Sequence, residues 1–109
     1  MDEKRPAETR LIETHRDILL DFAKKYIWWE SPQEALRRPY RVLASAMNIG
    51  SLEDYQRIRR SFDPELLSDL LTNAEAGWFT ERSWSFWHRV LGLVDVQDSV
   101  PPLPERVFS

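Results

Sequence analysis

Gly77-Trp78-Phe79-Thr80-Glu81-Arg82-Ser83-Trp84-Ser85-Phe86-Trp87-His88-Arg89-Val90-Leu91-Gly92-Leu93 carries three of the chain's five tryptophans and two of its five phenylalanines. Thr80 is placed to cap a helix running through Leu91, and Gly92 stands where a left-handed C-terminal residue belongs. Trp84, Trp87, His88 and Leu91 fall at helical spacing and form one face, with Phe86 and Val90 as a second apolar line beside it. A helix apolar over so wide an arc is expected at the centre of a core, with the rest of the chain packed around it. Trp84 and Trp87 are therefore expected to be buried.

Reading outward, the same kind of punctuation recurs upstream. Asp63-Pro64-Glu65 starts a helix with Asp63 as cap and Pro64 at its first position, and Leu66, Leu67, Leu70 and Leu71 face inward until Asn73-Ala74. Ser51 caps a helix reaching about Ser61, with Leu52, Tyr55, Ile58 and Phe62 as its stripe. Ser31-Pro32-Gln33-Glu34 is the clearest start, a serine cap with proline at N1 and an acid at N3. Pro39 lacks an N–H and disfavours a helical Arg38, so a short helix over 32–37 must give way to a second over 39–48. Leu11, His15, Ile18, Leu19, Phe22 and Tyr26 make the stripe of a helix from about residue 9 to 26. This predicts a single compact all-α domain of five or six short helices over 9–93. A flexible lead-in (1–8) precedes it, and an extended Pro-containing tail (94–109) follows.

Two segments outside this pattern are candidate partner-binding sites. In Tyr26-Ile27-Trp28-Trp29, adjacent side chains point about 100° apart on a helix and to opposite faces of a strand. Trp28 and Trp29 are thus expected to separate, one in the core and one on the surface as an interface anchor. Pro101-Pro102-Leu103-Pro104 should be extended polyproline II, with Pro101, Pro102 and Pro104 presented either to an aromatic groove of a partner or to this protein's own tryptophans.

Composition excludes several classes. The 109 residues suit one domain with one core, and with only three glycines there is no Gly-rich phosphate loop. Without cysteine, disulfides and thiolate metal sites are excluded. No apolar run approaches the roughly 20 residues that span a bilayer, and the charged start lacks a secretory signal, so a cytoplasmic protein is expected. Of the two histidines, His15 lies on an apolar stripe and His88 one turn after Trp84. Neither has a second ligand three or four residues away, so no metal and no cofactor is expected. No nucleophile-elbow serine or spaced carboxylate pair appears, and the reading is a non-enzyme.

Charge is uneven. Residues 31–60 hold six basic and three acidic side chains, whereas 61–109 hold three basic and eight acidic. Arg37, Arg38, Arg41, Arg57, Arg59 and Arg60 flank two helices joined by Asn48-Ile49-Gly50-Ser51, the outline of a helix-turn-helix, and they are the candidate nucleic-acid contacts of an alternative reading as a regulator. Against it, Glu53 and Asp54 stand at the N-terminal end of the second helix, where they would repel DNA. If the arginines pair with acids of the C-terminal half, this reading loses its basis.

Several stretches together, Tyr26-Ile27-Trp28-Trp29, Pro39-Tyr40-Arg41, Met47-Asn48-Ile49-Gly50, Gly77-Trp78-Phe79, Ser83-Trp84-Ser85-Phe86-Trp87-His88 and Pro101-Pro102-Leu103-Pro104, resemble a family of short uncharacterised bacterial proteins. Its members are often encoded beside abortive-infection-type nucleotidyltransferase toxins. The resemblance covers about residues 20–106. It implies a small accessory or antitoxin-like protein with a protein partner, and it assigns no catalytic residue.

Overall fold

Proline and serine punctuation divides the chain where expected. The computed structural model describes residues 6–95 and 97–105; among them are six helices and no strand. The helices are α1 (Pro6–Tyr26), α2 (Pro32–Ala35), α3 (Pro39–Ile49), α4 (Leu52–Ser61), α5 (Pro64–Thr72) and α6 (Glu81–Val90), forming one compact all-helical body. The hydroxyls of Ser31, Ser51 and Thr80 each accept from the backbone N–H three residues on, at 3.2 Å in every case. Pro32, Pro39 and Pro64 occupy first turns, where their missing N–H costs nothing. Arg38 is pushed out of the helical region (φ −128°, ψ 73°) by the proline after it, which is why α2 and α3 are separate. Gly92 takes a positive φ of 71°, closing α6 in the left-handed conformation.

Helix α1 departs from its expected form at both ends of the argument. It begins at Pro6, so residues 6–8 of the expected lead-in are helical, while residues 1–5 lie outside the described residues, as do Val96 and residues 106–109 of the tail. It is also two helical stretches joined across a kink at His15 (φ −132°, ψ 32°). Thr14 supplies the cause. Its hydroxyl donates to the Arg10 carbonyl at 2.8 Å and, having spent its only proton, accepts from His15 Nδ1 at 2.7 Å. The His15 ring then rests on Phe62, with centroids 4.6 Å apart, so this histidine sits at the core edge as its place on the stripe suggests.

The centre of the core is α3, not the tryptophan helix. Pro39, Tyr40, Val42, Leu43, Ala44, Ala46 and Met47 of α3 are buried, and α3 packs on α1, α4 and α6. Its small residues Ala44 and Ala46 let neighbouring helices approach closely on more than one side. Helix α6 buries Trp84, Trp87 and His88 but turns Glu81, Arg82 and Arg89 to solvent and leaves Phe86 half-exposed. Its apolar arc is one face of a peripheral helix; of the second line expected beside it, Phe86 is at the surface and Val90 packs partly buried against the core.

Helix α6 is sewn to the end of α3 by polar groups. The last carbonyls of a helix have no intrahelical donor. Here the Met47 carbonyl accepts from the Trp87 indole at 2.9 Å and the Asn48 carbonyl from the Ser83 hydroxyl at 2.9 Å. The Asn48 side chain in turn accepts from the Thr80 N–H at 3.0 Å. Gly50 makes the turn into α4 close enough for this arrangement, since a Cβ there would lie 2.2 Å from the Ala46 carbonyl oxygen.

Candidate interaction surface

The turn after α1 presents two adjacent large apolar side chains to solvent, while Leu52 and Ile49 are comparably exposed around the turn from α3 into α4. Trp28 is 76% and Trp29 60% exposed, which corrects the expectation that one of them would be core. The reason lies one residue earlier: Ile27 fills the interior position at this corner, so the next two side chains have only the outside left. They do separate from any common pocket, yet they meet edge to face, with ring centroids 5.7 Å apart at 89°. That is a favoured aromatic geometry.

Polar contacts fix the corner from both sides. Before it, Lys25 Nζ lies 3.0 Å from Asp54 Oδ2, and the Tyr26 hydroxyl donates to the same carboxylate. Asp54 is only 3% exposed. Burial alone would push its carboxyl up, but the hydrogen bonds from Tyr26 and Lys25 outweigh that and hold it below the usual carboxylate range. Burial, and the bond to Asp54, raise Tyr26; the bond to Asp54 raises Lys25. After the corner, Glu30 accepts from Arg41 at 2.7 Å. That hydrogen bond, with the charge of Arg41 beside it, keeps the Glu30 carboxyl below its ordinary value. The two tryptophans thus stand on a loop clamped to α4 at one end and to α3 at the other.

The arginines are dispersed among separate partners. Arg38 pairs with Glu75 at 2.8 Å, an acid of the C-terminal half, and Arg57 with Asp21 at 2.8 Å. Arg41 is spent on Glu30, with its Nε buried. Arg59 donates to the Tyr55 hydroxyl and lies over its ring. Arg37 and Arg60 are exposed. Four of the six are engaged within the chain, so a continuous basic face of free guanidinium groups is not what these helices offer to phosphate. Asp54, read as a repelling acid at the start of α4, is instead an interior anchor.

Two further surfaces stand out. Leu52, expected on the inward stripe of α4, is exposed, and with Tyr55, Phe86 and Gly50 it edges an apolar groove of about 480 Å³ floored by Met47 and Trp87. At the other side of α6, the Trp84 indole donates to the Pro101 carbonyl at 2.7 Å, and Val100 and Leu103 pack against the core. Pro101 and Pro102 are exposed and Pro104 is half-buried. Of the two fates open to this segment, contact with the protein's own tryptophan is the one observed. His88 stacks on Trp84 with centroids 4.3 Å apart and donates from Nδ1 to the Trp84 carbonyl at 2.8 Å, so its ring is occupied in packing.

Among the described residues, no group of three or more His, Cys, Asp or Glu side chains is placed to hold a metal ion, and no helix is long and apolar enough to cross a membrane. No family model, curated protein or solved structure matches this chain. Sequence reasoning named the Trp28–Trp29 pair but missed its clamps. Lys25 and Tyr26 lie 29 and 28 residues from Asp54, a separation at which no local pattern operates.

Proposed function

We propose that this chain is a non-catalytic protein-interaction module, an antitoxin-like or accessory partner of a nucleotidyltransferase in the cytoplasm, and that the Trp28–Trp29 corner is its principal contact. The observation that carries the reading is the exposure of two adjacent tryptophans on a loop held at both ends. Tryptophan is enriched among residues that dominate binding energy, and a pre-ordered anchor avoids the cost of immobilising a mobile side chain on association. An exposed indole pair also costs the free protein solubility, which a partner that covers it would relieve. The nucleotidyltransferase rests on the family resemblance alone. In the same reading an extended tail over 94–109 offers Pro101 and Pro102 as a second, proline-rich surface.

The test is co-expression with a nucleotidyltransferase of the abortive-infection type, followed by affinity capture. Retention by the wild-type chain and loss of retention by the Trp28→Ala/Trp29→Ala double variant, with unchanged circular dichroism, is the expected result. Failure of the wild-type chain to retain the enzyme or to relieve its toxicity ends the partner assignment.

A further inference from the structure

The segment from Val100 to Glu105 has no regular secondary structure, but its burial has a rhythm. Val100 is half-buried, Pro101 and Pro102 are exposed, and Leu103 is half-buried again, with Pro104 half-buried beside it. A polyproline II helix turns once every three residues, so residues 100 and 103 share one edge. Such a backbone makes no hydrogen bonds to itself, which leaves its carbonyls for outside donors; the Pro101 carbonyl takes the Trp84 indole. Two apolar teeth three residues apart and an indole N–H aimed at the carbonyl between them are the elements by which aromatic grooves hold proline-rich peptides. The groove is also wider than what lies in it. A cleft of about 540 Å³ remains open between the segment and Glu81, Arg82 and Ser85 on α6. Upstream, the approach is tied down by Arg89, which donates to the Asp95 and Asp98 carbonyls at 3.2 and 3.0 Å.

We propose that the Trp84 side of α6 is a recognition groove for extended proline-rich peptides, occupied in the resting protein by the chain's own Val100–Pro104 segment in polyproline II as a displaceable ligand in cis. The occupant's chemistry is given by the segment already seated there. Polyproline II is pre-ordered, so either ligand binds at little entropic cost, and the tethered copy wins by its high effective concentration. A partner's proline-rich segment therefore sees the groove only in the fraction of molecules whose own strap is open, and its apparent affinity is lowered by that fraction. This groove is distinct from the Trp28–Trp29 corner and stands or falls independently of it.

The probe is a fluorescein-labelled peptide of residues 97–105, titrated into the full chain and followed by anisotropy. Leu103→Asp removes one tooth of the cis ligand and should bind the peptide about tenfold or more tightly than wild type, the size of the gain reporting how seldom the strap opens. Adding Trp84→Phe, which keeps an aromatic ring but removes the N–H, should abolish the gain, and a peptide with Pro101, Pro102 and Pro104 replaced by alanine should not bind. Equal binding by wild type and Leu103→Asp, or a gain that survives with the proline-free peptide, overturns the proposal. So does a wild-type dimer at high concentration that Leu103→Asp cannot form, because the occupant would then be a second copy. If Leu103→Asp fails to fold, the isotope-labelled wild-type chain decides: the methyl resonances of its own Leu103 should move toward their positions in the free peptide on adding unlabelled peptide at millimolar concentration, and resonances that stay fixed reject the displaceable strap.

Discussion

Two tryptophan pairs in this protein meet opposite ends. Trp84 and Trp87 on α6 are 5% and 2% exposed, and each indole N–H finds a backbone carbonyl, that of Pro101 and that of Met47. Trp28 and Trp29, four and three positions before α2, face solvent and meet each other edge to face. The residue type is the same and the difference is spacing. Three residues apart on a helix, two indoles share a face and can both be buried against α3. Adjacent at a chain reversal behind a buried Ile27, neither has an interior direction left to take. Burial of an indole also requires a partner for its N–H, which the Met47 carbonyl at the end of α3 gives Trp87 and the Pro101 carbonyl gives Trp84. The interior pair is committed to packing, and the corner pair is left exposed.

The strongest way to break this comparison is to remove an interior indole. Trp87→Ala deletes a side chain packed against Tyr55 and Phe86 and leaves the Met47 carbonyl without its donor. Loss of a buried tryptophan typically costs about 3–5 kcal/mol. A domain with about 5–15 kcal/mol in all would melt roughly 10 °C lower or more, or fail to accumulate in soluble form. Thermal denaturation followed by circular dichroism reads this directly. A wild-type melting curve would move α6 from core to surface and erase the distinction between the pairs.

Asp54 tests what holds the corner in place. Asp54→Asn keeps the shape but removes the charge that Lys25 and Tyr26 share, a loss of about 1–3 kcal/mol for hydrogen bonds to a buried carboxylate. The pH dependence carries the sign. The Asp54 carboxyl is held below the ordinary carboxylate range in the folded chain, so its contribution is complete above that range and disappears as pH falls through the lowered value. At the alkaline end Tyr26 is raised, so its contribution is present below the ordinary tyrosine range and is lost as pH climbs past the folded value. Melting temperatures of wild type and Asp54→Asn should therefore converge at acid pH and differ most near neutrality. Parallel curves from pH 3 to 7 would mean that the carboxylate does not anchor the corner.

What was legible in the sequence was local. Serine, threonine and proline at helix starts act within three or four residues, so Ser31, Ser51, Thr80, Pro39 and Pro64 placed five helix boundaries from composition alone. What was not legible depends on distant pairings. Nothing near Met47 or Asn48 says that their carbonyls will be taken by Trp87 and Ser83, and so nothing revealed α3 as the centre. Apolar width was a poor guide to centrality, because Phe86 counts toward an apolar arc whether or not anything covers it. The kink at His15 escaped because a threonine that bonds back to the preceding turn leaves the hydrophobic period intact. For the candidate site, Trp28 and Trp29 stood out by their residue type, but their shared exposure depended on Ile27 filling the interior first.

The smallest expected effect on stability sharpens the comparison most. Trp28→Ala and Trp29→Ala remove side chains that are mostly exposed, and substitutions at such surface positions usually change stability by less than about 0.5 kcal/mol. Trp29→Ala should cost slightly more than Trp28→Ala, because Trp29 is the less exposed of the two. Removing either ring also ends the edge-to-face contact, so the double variant should cost less than the sum of the singles, the hallmark of two side chains that stabilise each other. Melting temperatures within about 2 °C of wild type for all three variants, together with loss of partner capture, are expected. A drop as large as that of Trp87→Ala would show that the corner is a structural element, and the claim that exposure marks the working surface would fail at its chief site.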